Sequence, residues 1–206
     1  MAAANRVLIT GASGLLGKSL VKTFTGNGWQ VVAHYFSKKG RDHRLSEWIS
    51  GDLSTLEKTR DFINTHFDRI KDCRVLINNY GPMIYKDTGA VSSEDLISGF
   101  QQNLISANEI TSSMIRSGRV HSVVNIGFEG AGEVKPYRTI LPYAIAKSGL
   151  QLLTLSYGRE FTGTRFYFVS PPSLEGGDYR KPSGDVVNPR EIAAKIYGMV
   201  GNTEDV

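Results

Sequence analysis

Six apolar, strand-like runs alternate with helical stretches along this chain, and few folds accept that pattern. Arg6-Val-Leu-Ile-Thr10 is the first run. The stretch 15–25 follows, with Leu16, Leu20, Val21 and Phe24 at helical spacing, and Gly26-Asn27-Gly28 stops it. Runs at 30–36, 48–49, 74–79, 121–126 and 165–169 supply the other strands. Helical stretches occupy 54–70, 92–115, 141–161 and 189–200, the last with proline in its first turn. Strands that read as continuous apolar runs belong to a parallel sheet covered on both faces. Right-handed crossovers then predict a three-layer, doubly wound α/β fold with strand order 3-2-1-4-5-6. The chain, 1–206, reads as one such domain. The stretch 170–188 is long for a connection and carries Pro, Gly and Ser, so a flexible loop over a substrate is expected there.

Composition narrows the function classes. Hydrophobic residues make up 40% of the 206 and charged residues 21%, the balance of a globular protein rather than a disordered one. No window is long and apolar enough to span a membrane. The first residues lack the apolar core of a secretion signal, so a cytoplasmic protein is expected. Cys73 stands alone, which excludes an internal disulfide, and it reads as a packing residue. His34, His43, His66 and His121 show no ligand spacing, so no metal site is expected. A net charge of +4 is too small to argue for nucleic acid. Its distribution says more: the first 41 residues hold six Lys or Arg and no acid.

Two segments carry a phosphate signal. Thr10-Gly-Ala-Ser-Gly-Leu-Leu-Gly17 ends the first strand and opens the first helix. Glycine permits the tight turn, and the free amides of a helix start bind phosphate. Gly11, Ser13, Gly14, Leu15, Leu16 and Gly17 are the expected contacts of a dinucleotide. The second strand then ends in His34-Tyr-Phe-Ser-Lys-Lys-Gly-Arg41, where an NAD site would place an acid for the ribose hydroxyl. Tyr35, Ser37 and Lys38 offer hydroxyl and cationic donors instead, which suits the 2′-phosphate of NADP(H).

A third segment carries proton chemistry. Tyr143-Ala-Ile-Ala-Lys147 sets a phenol and an ammonium on one face of a helix. A lysine beside a tyrosine favours the phenolate and makes it a proton donor or acceptor near neutral pH.

Taken together, these residues resemble the short-chain dehydrogenase/reductase family across almost the whole chain, which implies a Rossmann fold. Asp52-Leu53 sits where members contact the adenine, and Asn78-Asn79-Tyr80-Gly81 resembles their Asn-Asn-Ala-Gly segment. Asn103 matches the helix asparagine of their proton relay, Tyr143 and Lys147 match the catalytic pair, and Pro171-Pro172 resembles their Pro-Gly. The resemblance implies catalytic roles for Tyr143, Lys147 and Asn103, and cofactor contacts from Asp52, Leu53, Asn79, Tyr80, Gly81, Tyr143, Lys147 and Pro171.

Three departures stand out. The family's catalytic serine lies 13 residues before the tyrosine, and Gly130 stands there; Glu129, another residue of the wall, or nothing replaces it. The spacing of Gly11, Gly14 and Gly17 resembles the sugar-nucleotide epimerase branch. The family's seventh strand has no counterpart in 201–206, so a sheet of about six strands is expected. His34-Tyr35 with Ser37 resembles the pteridine reductases. The implied function is NADPH-dependent reduction of a small carbonyl or imine, pterin-like, substrate. The alternative is an NADP(H)-binding sensor or interaction protein with little or no catalysis. A homodimer through the helices at 92–115 and 141–161 is expected, because Ile145, Leu150, Leu152, Leu153, Leu155 and Phe161 exceed what one covered face needs.

Overall fold

The computed structural model describes residues 5–177 and 185–201. Its first strand, β1 (Arg6–Ile9), leads into α1 (Leu15–Gly26) and β2 (Gln30–Tyr35). Then come β3 (Ser46–Ser50), α2 (Leu56–Ile70) and β4 (Val75–Asn78). Next, α3 (Ser93–Phe100) continues through a π-helical stretch, Gln101–Ile105, into α4 (Ser106–Arg116). The chain goes on through β5 (Ser122–Ile126), α5 (Leu141–Glu160) and β6 (Arg165–Val169). After β6 come β7 (Ser173–Leu174), β8 (Val186–Val187) and α6 (Pro189–Val200).

The six long strands are all parallel, in the order β3-β2-β1-β4-β5-β6. This is the doubly wound order that the sequence predicts. The side-chain alternation of a strand divides each run between two helical layers. Val7, Ile9, Val31, Ala33, Val75, Ile77, Val124 and Ile126 pack with α1 and α6. Leu8, Val32, Leu76 and Val123 pack with Phe62, Ile63, Ile110 and Met114 of α2 and α4. Cys73 belongs to the second cluster, and burial pushes its thiol up to about 12, so it packs and does not react. Phe24 meets Trp29 edge-on at 5.4 Å and Tyr197 at 5.3 Å, which fastens α6 to α1. Each such pair stabilises by about 0.5–1.5 kcal/mol beyond its area.

Two expectations change. The stretch 92–115 is not one regular helix, because the π-helical stretch interrupts it around Asn103. The stretch 170–188 is not loop throughout: β7 and β8 pair within it. Residues 178–184 of that stretch, and 202–206, where the comparison with a seventh strand falls, lie outside the described residues. Among the described residues, β6 is the outermost strand on its side and no helix is long and apolar enough to cross a membrane.

Candidate active site

The carboxyl ends of β1, β4 and β5 meet beside the starts of α1 and α5, and the sequence-read residues gather there. Gly11 has φ +61°, a conformation that disfavours a side chain, and a Cβ on it would stand 2.9 Å from Tyr80 Cα. A Cβ on Gly17 would stand 2.3 Å from the Gly11 carbonyl oxygen. The turn is therefore closed tightly on itself. Asn79 Nδ2 donates to the carbonyls of Thr10 at 3.1 Å and Gly11 at 2.9 Å. Thr10 Oγ1 accepts the amides of Asn79 and Tyr80, each at 3.0 Å. Helix α1 then starts from Gly14 with no side-chain cap and no acid in its first turn. Its first amides and the positive end of its dipole are left for an anion, so the residues present fit a dinucleotide pyrophosphate. Ser13 is half-buried beside this start, Gly14 and Leu15 are exposed, and Leu16 is buried under it.

The segment after β2 divides. Ser37 and Lys38 are exposed, whereas Lys39 is paired with Asp42 at 2.9 Å. Tyr35 is half-buried, edge-on to Trp48 at 6.1 Å. His34, in the same segment, is not one of these donors. It is buried, in phase with Val32 on the inner face, and burial lowers its pKa to about 4. Asp52 is held by Lys58 at 2.7 Å and caps the Ser54 amide at 2.8 Å, and Leu53 is buried beneath it.

The proton-bearing residues converge on Gly81. A Cβ there would stand 2.5 Å from Asn103 Oδ1 and 2.7 Å from Lys147 Nζ, so only glycine leaves this space open. Asn103 is fully buried; its Nδ2 donates to the Pro82 carbonyl at 3.1 Å, and its Oδ1 has no partner. The π-helical turn carries Asn103 into this position, a common use of such turns at functional sites. Lys147 Nζ donates to the Ile126 carbonyl at 2.7 Å and stands 5.6 Å from the centre of the Tyr143 ring. Complete burial pulls the Lys147 pKa down to about 7. Tyr80 donates to Gln102 Oε1 at 3.2 Å, and burial raises its phenol to about 12.

A cavity of about 730 Å³ opens beyond, lined by Met83, Tyr85, Phe128, Tyr137, Ile140 and Pro171 among others. Pro171 is buried, and its carbonyl accepts the Glu129 amide at 2.9 Å. Gly130, counted from Tyr143 as the serine position, has φ +87°. The side chain that meets Tyr143 from the end of β5 is instead Phe128, with ring centres 5.3 Å apart. Sequence reasoning missed Thr10, His34 and Phe128. For His34 the period of two along β2 held the signal; for Phe128 it was the count from β5 rather than from Tyr143.

Residues 5–183 match the family model described as short chain dehydrogenase. The chain belongs to that family. Its members are oxidoreductases that bind nicotinamide cofactors. An uncharacterized oxidoreductase of Bacillus subtilis, YvrD, is 30% identical over 173 residues, which are 77% of this chain and 63% of that protein. The chain thus spans under two thirds of this relative. A short-chain dehydrogenase of Leptospira borgpetersenii, solved with NAD+ bound, superposes with a TM-score of 0.81 at 20% identity, over 94% of this chain and 84% of that one. An alcohol dehydrogenase of the archaeon Thermococcus sibiricus, complexed with 5-hydroxy-NADP, gives 0.80 at 17% identity, over 99% and 93%. These two share the fold of this short-chain dehydrogenase, and their ligands differ.

Proposed function

We propose that this chain is a single-domain NADP(H)-dependent reductase of a small carbonyl or imine substrate, pterin-like in shape. The convergence of Lys147 Nζ and Asn103 Oδ1 on Gly81, with the Tyr143 ring 5.6 Å from that Nζ and Phe128 joining Tyr143 to the cavity, carries this reading. The amides of α1 would hold the pyrophosphate, and Ser37 and Lys38 the 2′-phosphate. When bound, the nicotinamide supplies the hydride. Tyr143 gives its phenolic proton to the receiving atom of the substrate. The Lys147 ammonium stabilises the phenolate left behind. Asn103, with its buried Oδ1 turned toward the same space as Lys147 Nζ, positions the path by which the proton returns. Pairing of two copies through the helices at 92–115 and 141–161 completes the reading.

The experiment is a comparison of Tyr143→Phe and Lys147→Ala with the parent chain. Tyr143→Phe should lower turnover by roughly 10²–10⁴ while dinucleotide affinity survives. Lys147→Ala should damage both. Full activity in Tyr143→Phe on a demonstrated substrate removes the phenol from the mechanism.

A further inference from the structure

The end of β5 presents an aromatic face beside Tyr143, where a hydroxyl would serve a ketone. Phe128 lies 5.3 Å from the Tyr143 ring, tilted by 50°, and 5.8 Å from the Tyr137 ring at 64°. Backbone bonds fix it there: the Gly127 amide donates to Val169 at 2.8 Å and the Glu129 amide to Pro171 at 2.9 Å. At Gly130 the space for a Cβ is already filled, with Lys135 Nζ 2.3 Å and Tyr137 Oη 3.3 Å from that point. Tyr137 commits its one proton to the Gly130 carbonyl at 2.8 Å. Lys135 donates to Glu133 at 2.7 Å. The segment 127–131, Gly-Phe-Glu-Gly-Ala, therefore brings no hydroxyl to the reacting atom.

We propose that this site takes a C=N bond within a flat conjugated ring system in preference to a ketone, with Phe128 as the specificity-determining residue. The proposal rests on the reductase reading above and narrows its substrate class. A carbonyl oxygen has two lone pairs, and one that meets the Tyr143 phenol gains no second donor from the segment 127–131. An imine nitrogen has one lone pair in the ring plane, and Tyr143 alone satisfies it. By the usual worth of one hydrogen bond, that difference is a preference of roughly tenfold or more. The rings of Phe128 and Tyr137 also suit a flat substrate. In the step itself, the carbon of the C=N bond accepts the hydride and its nitrogen takes the Tyr143 proton. The product is a secondary amine, the reduced dinucleotide is left oxidised, and the phenolate regains its proton from solvent.

The test compares a bicyclic imine, dihydroisoquinoline, with a bicyclic ketone, tetralone, in the parent chain, Phe128→Ser and Phe128→Leu. Dihydroisoquinoline should lead by tenfold or more in kcat/KM in the parent, and Phe128→Ser should move the ratio toward tetralone by a similar factor. Calorimetry supplies a readout free of turnover: isoquinoline should bind the protein–NADP+ complex, and Phe128→Leu should weaken it about tenfold with NADP+ affinity unchanged. Equal rates or a lead for tetralone, or a ratio that Phe128→Ser leaves in place, overturns the proposal. Tight NADP+ binding with no affinity for isoquinoline and no turnover of either compound overturns this proposal alone. Failure to bind NADP+ at all overturns the reductase reading and this proposal with it.

Discussion

His34 Nδ1 accepts the amide N–H of Gly11 at 3.0 Å, from 23 positions away in the chain. Its Nε2 faces the Gly51 carbonyl oxygen at 3.1 Å. The two partners fix the tautomer, since an amide must donate and a carbonyl must accept: the proton sits on Nε2. The same ring meets Phe62 at 4.9 Å and Tyr80 at 6.2 Å, both edge-on. One neutral imidazole thus ties the glycine turn to the segments that follow β3 and β4.

His34→Leu leaves the Gly11 amide buried without an acceptor, at a cost of about 1–3 kcal/mol. His34→Asn keeps an acceptor near the Nδ1 position and should recover part of that loss. The pH dependence has a definite sign. The pKa of His34 in the fold is about 4, below the ordinary 6.5, so the unfolded chain binds more protons between these values. The stabilisation from His34 is present above 6.5 and is lost as pH falls toward 4. Thermal melts across this window should show a shallower decline in His34→Asn than in the parent. An identical slope in both would show that His34 does not titrate with unfolding.

The strands were legible because parallel strands buried on both faces read as uninterrupted apolar runs, as Val75-Leu-Ile does. The π-helical turn was not, because one extra residue per turn barely disturbs the apolar spacing between Leu96 and Ile110. His34 stood in a segment read for its donors, and only its phase with Val32 set it apart. Gly130 came from counting back from Tyr143 across an irregular segment, where loop length is free to vary. Counting forward from Asn125, whose place in β5 the register fixes opposite Asn78, leads to Phe128.

Cofactor choice is the second measurable expectation. Lys39 is occupied by Asp42, and Ser37 and Lys38 are exposed directly after β2, with Arg41 and Arg44 exposed further along the same loop. One contact from an ionised donor to the 2′-phosphate is worth about 1.5–3 kcal/mol, roughly tenfold or more in affinity. Fluorescence titration at fixed salt should show NADPH bound more tightly than NADH, with the ratio reduced in Lys38→Ala and Ser37→Ala. Tighter binding of NADH, or a ratio that neither substitution moves, contradicts the assignment.

Lys147 sets function against stability. Its pKa in the fold is about 7 against an ordinary 10.5, so the unfolded chain binds more protons in between and the stability of the parent rises with pH across this window. Lys147→Met removes the buried charge. It should abolish turnover and raise Tm, with the largest gain near about pH 6 and a smaller one near about pH 10. A Tm gain that does not change with pH would mean that folding does not lower the Lys147 pKa.

Assembly is the last expectation. On α5, Leu150 is buried against the body of the protein, whereas Leu152 is 67% exposed and Leu155 62%. Beside them Leu104, Ile105, Asn108, Gly149, Leu153 and Ser156 frame a shallow cavity of about 450 Å³ with Leu152 at its edge. The π-helical stretch before α4 and helix α5 therefore share an apolar face that the described residues do not cover. Twofold pairing places the same patch of each copy against the other, so every apolar side chain is used twice. A mass near twice 22.6 kDa is expected from light scattering after size exclusion at micromolar concentration. Leu152→Glu puts a carboxylate at the edge of that cavity in both copies, and burying the two unpaired charges should return the chain to a monomer. Tyr143 and Lys147 face the opposite side of α5, toward Phe128 and the Ile126 carbonyl, so the monomeric variant should keep its dinucleotide affinity. A parent chain that elutes at the mass of one copy overturns the dimer. So does a Leu152→Glu variant that still runs at twice that mass.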